Sequence, residues 1–194
     1  REGQVMAAGD QMIYMDEFMT QAKAILVHAD HQPVDGGDLS LQIVTLGNLQ
    51  YYPLDEQKDW DKYLPMVTIM ADDDMVIEND GTAGIYDIDY PIRIVYYRHI
   101  HLAAGVGDSA VTDPYLKKVQ DLELVMRPFL RARNPNSTPE QAWTNGGNSN
   151  LQPLYSYLDG VNYFPPEERL LRSTGIRNTI CAAFRVHVVA RSTV

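Results

Sequence analysis

The chain has 194 residues and a mass of 21.9 kDa, with 26 acids against 16 Lys and Arg, a formal charge of -10 and a pI of about 4.8. At this length it buries roughly 70% of its unfolded surface, enough for a core without a metal or disulfide staple. The acid excess without a basic run excludes generic binding to the outside of a nucleic acid, and the single Cys181 excludes both a disulfide framework and a CxxC zinc site.

No apolar stretch reaches the roughly 18 residues of a membrane span. The amino end, Arg1-Glu-Gly-Gln, lacks a basic-then-apolar signal pattern, so no export signal is expected. Along the chain, Ile13, Phe18, Ala22, Ile25, Leu26 and Ala29 recur at helical spacing and predict a first helix over 11–29. The stretch 31–40, with Pro33 and Asp35-Gly-Gly-Asp38, predicts a loop, and Leu39, Leu41 and Ile43 alternate as in a strand. LDEQKDWDKYL, between Pro53 and Pro65, is compatible with one or two helical turns. Met66–Met70 then predicts a strand entering a charged turn at Asp72, Asp73 and Asp74, with a second turn at Asn79-Asp80-Gly81.

The clearest pattern follows. Tyr86, Ile88, Tyr90, Ile92, Ile94 and Tyr96 alternate with Asp87, Asp89 and Arg93, which predicts a long strand with one packed face and one wet face. Pro91 lacks a ladder donor and predicts an edge or a bulge, in a long hairpin that projects from the body. Residues 100–112 read as a loop of small residues. Asp113-Pro114 reads as the start of a second helix, which carries Leu116, Val119, Leu122, Val125, Met126 and Phe129 down to about Arg133. The Asn-, Gly- and Ser-rich segment 134–153 predicts an exposed loop. Tyr155, Tyr157, Tyr163 and Phe164 around Asp159-Gly160 predict a short hairpin, closed by Pro165-Pro166-Glu-Glu. Ile180, Ala182, Phe184, Val186, Val188 and Ala190 alternate with Cys181, Arg185, His187 and Arg191 as a terminal strand.

Chemistry-bearing motifs are sparse. His99-Ile-His101 puts two imidazoles on one strand face, a spacing that a metal-dependent hydrolase could use with a third ligand such as Asp108 or His187. Two solvent-facing histidines at a strand end are the plainer account, and no metal site is assigned. Asp72-Asp73-Asp74 lacks the spacing and closing Glu of a calcium loop. His28 and His31 suit the negative end of the first helix. No GxSxG elbow, GxGxxG or GxxxxGK[ST] loop occurs. Cys181, inside a strand, reads as packing. Tyr51, Tyr52, Tyr86, Tyr90, Tyr96 and Tyr97 read as a sheet face or an interface, or as the lining of a small-ligand pocket. No catalytic residue and no cofactor is expected.

Together these elements predict an α+β fold: an antiparallel or mixed sheet with a long β-hairpin and two main helices packed on one face, in a single domain over 1–194 with loop insertions near 31–64 and 134–178. With PIRIVYYR (91–98), DPYLKKVQDLELVMRPFL (113–130) and TICAAFRVHVVAR (179–191), the pattern resembles the tail terminator and neck proteins of tailed bacteriophages. The resemblance implies a non-enzymatic virion protein, made in the host cytoplasm. It would form a homo-oligomeric ring, commonly six-fold, that caps the tail tube and joins it to head connector proteins, while DNA passes through the lumen without specific binding. A head-tail connector ring is the alternative. In such a ring Asp72, Asp73, Asp74, Glu78, Asp80, Asp87 and Asp89 are candidates for the lumen, where like charge keeps DNA from sticking. Tyr86, Tyr90, Arg93, Tyr97 and Arg98 are candidates for the subunit interface.

Overall fold

The alternating run through Tyr86–Tyr96 lies in one of the two longest strands of the sheet among the described residues. The computed structural model describes residues 14–30, 41–47, 63–72, 76–79, 84–99, 108–131, 143, 151–173 and 179–193. Strand β4 (Ile85–His99) has fifteen residues, about 45–50 Å at roughly 3.3 Å per residue. Strand β6 (Thr179–Thr193) is antiparallel to it along its whole length, from Ile85↔Thr193 to His99↔Thr179. On the other flank of β4 lie β2 (Met66–Ala71) and, further along, β3 (Val76–Asn79), both antiparallel to it. Strand β1 (Ile43–Leu46) runs parallel to β2, and β5 (Leu151–Asn162) pairs antiparallel with the far side of β6. With helices α1 (Tyr14–Asp30), α2 (Asp108–Arg131) and α3 (Pro166–Ser173), the architecture is α+β around a mixed sheet ordered β1-β2-β4-β6-β5. The expectation of a long projecting hairpin is corrected: β3 pairs with β4 over four residues only, and β4 does not project, because β6, distant in sequence, accompanies it from end to end.

Pro91 sits in the centre of this sheet rather than at an edge, and the register explains how. Its carbonyl accepts a hydrogen bond from the Asp72 amide at 2.9 Å, so its donorless nitrogen faces the same flank, away from β6. On that flank the pairing shifts: Ala71 pairs with Ile92 and Val76 with Asp89, so four residues of the sequence between the first two correspond to two between the others. The missing N–H therefore falls at the break between β2 and β3, where an irregular ladder tolerates it.

Alternation places the even-numbered residues of β4 and β6 on one face. There Ile88, Tyr90, Ile92, Ile94, Tyr96, Ala182, Phe184, Val186 and Val188 form one core with Val67, Ile69, Phe18, Ala22, Ile25, Leu26, Leu122, Val125 and Phe129. Helices α1 and α2 contribute the last seven. Phe18 lies against Tyr90 with ring centroids 4.9 Å apart, and fully buried side chains of this size each stabilise the fold by roughly 1.5–3 kcal/mol. Asp16 and Glu17 in the first turn of α1 complement its positive end. The opposite face is apolar at one end only, where Leu64, Met66, Val95, Tyr97, Cys181 and Ala183 lie under Leu171 of α3.

Several expectations are corrected. Helix α2 starts at Asp108, not Asp113, and continues through Pro114 and Pro128, because a proline removes one intrahelical bond without ending a helix held by its packed face. Asp159-Gly160 is not a hairpin turn: β5 runs through it, and Gly160, at φ 61°, accommodates a register shift between Asp159 and Asn162. Residues 151–162 and 166–173, read as loop insertion, are a sheet strand and a helix. Trp143, from the segment read as an unpacked loop, stacks on Phe129 at 5.9 Å. The turns at Asp73–Asp74 and Asp80–Gly81, and Tyr51, Tyr52, His31 and His101, lie outside the described residues. No helix among the described residues is long and apolar enough to cross a membrane.

Candidate functional site

The second face of the sheet is the distinctive surface, because α3 covers only one end of it. Odd-numbered residues of β4 and β6 point here, and the register sets charges opposite one another. Arg93 lies directly across from Arg185, a like-charge pair that would repel. Each has its own carboxylate: Arg93 grips Glu167 of α3, with Nε and an Nη donating at 3.0 and 3.1 Å, and Arg185 pairs with Asp72 at 2.6 Å. Further along, Arg191 donates twice to Asp87, at 2.8 Å each. That hydrogen bond, aided by the guanidinium charge and opposed by burial, holds the Asp87 carboxyl below the usual carboxylate range.

Between these pairs His187 and Tyr157, cross-strand partners on β6 and β5, stack with centroids 4.5 Å apart and rings 6° from parallel. Both engage Asp89: His187 Nδ1 lies 2.9 Å from each carboxylate oxygen, and the Tyr157 hydroxyl donates at 3.1 Å. Burial, then the charge and hydrogen bond of Asp89, push the Tyr157 phenol up to about 12. His187 Nε2 is buried and has no hydrogen-bond partner among the described residues, so the imidazole presents no nitrogen to solvent.

Asp89 and Tyr157, with Asp87, Tyr155 and Val189, line one side of a groove of about 290 Å³ that Val76 and Glu78 also line. Strand β3 supplies the other wall, with Val76 and Glu78 paired across from Asp89 and Asp87. Glu78 is exposed and has no cationic partner among the described residues. Carboxylates beside tyrosine faces suit a cation on an aliphatic stem, such as the side chain of Arg or Lys.

The face's covered end is locked by charge as well. Lys118 of α2, 3% exposed, donates to the Tyr163 carbonyl at 2.6 Å and to Glu168 of α3 at 3.1 Å. The same carboxylate oxygen accepts the Cys181 amide at 3.4 Å. Phe164, 65% exposed, covers Lys118 with its ring centroid 4.3 Å from Nζ and stacks on Tyr115.

Of the seven acids read as lumen candidates, Asp72, Glu78, Asp87 and Asp89 are described and share this face; Asp72 and Asp87 each carry an arginine partner, which weakens any repulsive field. Asp73, Asp74 and Asp80 lie outside the described residues. The interface expectation is corrected for two residues. Tyr90 and Tyr97 are 0% exposed, one under α1 and α2 and the other under α3, so neither can reach a neighbouring subunit. Tyr86 packs at the rim of the first core. Arg93 is held by Glu167, and Arg98 by Asp121, which also takes the Tyr96 hydroxyl at 3.0 Å and Lys117 at 2.9 Å. His99 ends β4 half-buried, and no group of three or more His, Cys, Asp or Glu among the described residues is placed to hold a metal ion.

Sequence reading takes Tyr155 and Tyr157 as residues of a hairpin and Glu167 and Glu168 as its closing segment, not as parts of a site. One signal was present: Pro166 followed by Glu167 and Glu168 is a helix start, with proline at the first position and acids in the first turn. No family model matches the chain, and no curated protein sequence matches it.

Proposed function

We propose that this chain is a structural subunit of the tail terminator or neck ring of a tailed bacteriophage. The carrying observation is the half-covered sheet: α1 and α2 close one face, while the other keeps an open charged and aromatic end suited to subunit contacts. The segments that carry the resemblance, 91–98, 113–130 and 179–191, correspond to the centre of β4, helix α2 and strand β6. A ring needs a rigid body that repeats its contacts through a closing rotation, and continuous β4–β6 pairing supports such rigidity.

The test is light scattering on a sizing column, with negative-stain images, in the presence and absence of isolated tail tubes. Closed rings, or subunits that add to tube ends, are expected. Binding to isolated portal rings instead of tubes would assign the chain to the head connector, and a monomer indifferent to both would overturn the ring reading.

A further inference from the structure

Helix α3 carries its charges asymmetrically. Glu167 turns inward to Arg93 and Glu168 inward to Lys118, so both acids of the helix are engaged within the subunit. Residues 166, 169, 170 and 173, at three- and four-residue spacing, are exposed and form its outer ridge. The ridge presents Arg169, which has no carboxylate partner among the described residues, beside Leu170 at 38% exposure. Arg172 adds charge: its side chain is 64% exposed although it reaches back to Glu168. In a chain of net charge -10 this is a local positive surface.

The groove at the other end of the same face has the complementary character, with Glu78 at its rim, Tyr155 55% exposed and Val76 48% exposed. We propose that copies of this chain meet head to tail, with Arg169 and Leu170 of one copy seated in the groove between β3 and β5 of the next. The proposal rests on the ring-subunit reading and adds the contact that builds the ring. The guanidinium would meet the Glu78 carboxylate and the faces of Tyr155 and Tyr157, and Leu170 would cover Val76. Because ridge and groove are different patches of one chain, the contact is heterologous, and its repetition makes a ring when the rotation from copy to copy closes. It sets Glu78, Asp87 and Asp89 between copies instead of around a lumen.

Charge exchange in the full chain tests this. Arg169→Glu and Glu78→Arg, each exposed and each checked by circular dichroism and urea unfolding, are compared with the parent in solution and on tail tubes. Each single variant is expected to weaken the association of copies by at least about tenfold, and the chain carrying both substitutions to recover it. Single variants that assemble like the parent, or a double variant that does not recover, would overturn the contact while leaving the ring reading intact. Single variants that form normal rings yet lose tube ends would assign the groove to the tube and overturn it likewise. A parent that neither self-associates nor adds to tubes would remove both proposals together.

Discussion

The Arg93 guanidinium in the middle of β4 and the Glu167 carboxylate at the start of α3 face each other through two hydrogen bonds, with side chains only 18% and 13% exposed. This bidentate pair pins α3 to the sheet, and the Glu167 hydrogen bond raises Arg93 above its ordinary value despite the opposing effect of burial. Glu167→Gln removes the charge while keeping the shape. A hydrogen bond to a charged group contributes about 1.5–3 kcal/mol, and a loss of that size is expected in urea unfolding. An unchanged midpoint would show that α3 is held by Leu171 packing and the Lys118–Glu168 pair without help from Arg93.

The Lys118–Glu168 pair is more deeply buried, at 3% and 6% side-chain exposure. Lys118→Met leaves the buried Glu168 carboxylate with the exposed Arg172 as its cation, at a cost of up to about 3–5 kcal/mol. Adding Glu168→Leu removes the carboxylate that lost its buried partner, so the double variant is expected to lose at least about 1 kcal/mol less than the two single losses combined. Strict additivity in thermal or urea unfolding would count against a coupled pair.

Asp87 is held by Arg191 below the usual carboxylate range. A carboxylate lowered on folding adds stability above its unfolded pKa, and that stability is lost as pH falls through the lowered folded value. Asp87→Asn is therefore expected to melt below the parent near neutral pH, with the gap closing in acid below about pH 4. A gap independent of pH would mean that charge plays no part.

Gly160 has φ 61°, and a β-carbon there would meet the Arg185 β-carbon at 3.7 Å, an ordinary contact. Space is available, so Gly160→Ala is disfavoured by the backbone alone, by about 1–2 kcal/mol, and Gly160→Asn by less. Equal stability of all three proteins would show that the shift in β5 straightens on substitution.

Burial, followed by the charges of Glu168 and Glu167, pushes the Cys181 thiol well above its ordinary value. The folded protein is expected to resist alkylation at pH 8 for hours and to react fully in denaturant. Rapid labelling without denaturant would reveal local opening beneath α3.

The sheet's long strands were legible because each follows one rule over many residues: Tyr86 to Tyr96 and Ile180 to Ala190 keep a two-residue period longer than any helix or loop would allow. The period of Phe18, Ala22, Ile25 and Leu26 is equally local. Helix α3 escaped because eight residues give barely two turns, too few for a period to stand out beside two prolines. The groove was illegible for a different reason. His187 and Asp89 are 98 positions apart and Tyr157 and Asp89 are 68 apart, so only the strand order brings them together. Pro91 left an edge and a bulge both open, and the irregular pairing on one flank of β4 is the form taken, because its restriction applies to one flank of a strand and sequence alone does not tell which flank is interrupted.

The irregular pairing of β5 also bears on how the molecule avoids unwanted partners. Its ladder with β6 keeps one register over Leu151–Pro153 and another over Tyr155–Asp159, with a shift beside Pro153 and a second at Gly160. A stray strand arriving at this border would find donors and acceptors out of step on either side of a five-residue stretch, and no donor at Pro153. Growth by indefinite lateral stacking is thereby discouraged, and a crowded population of newly made chains is steered away from fibres and toward contacts made by side chains.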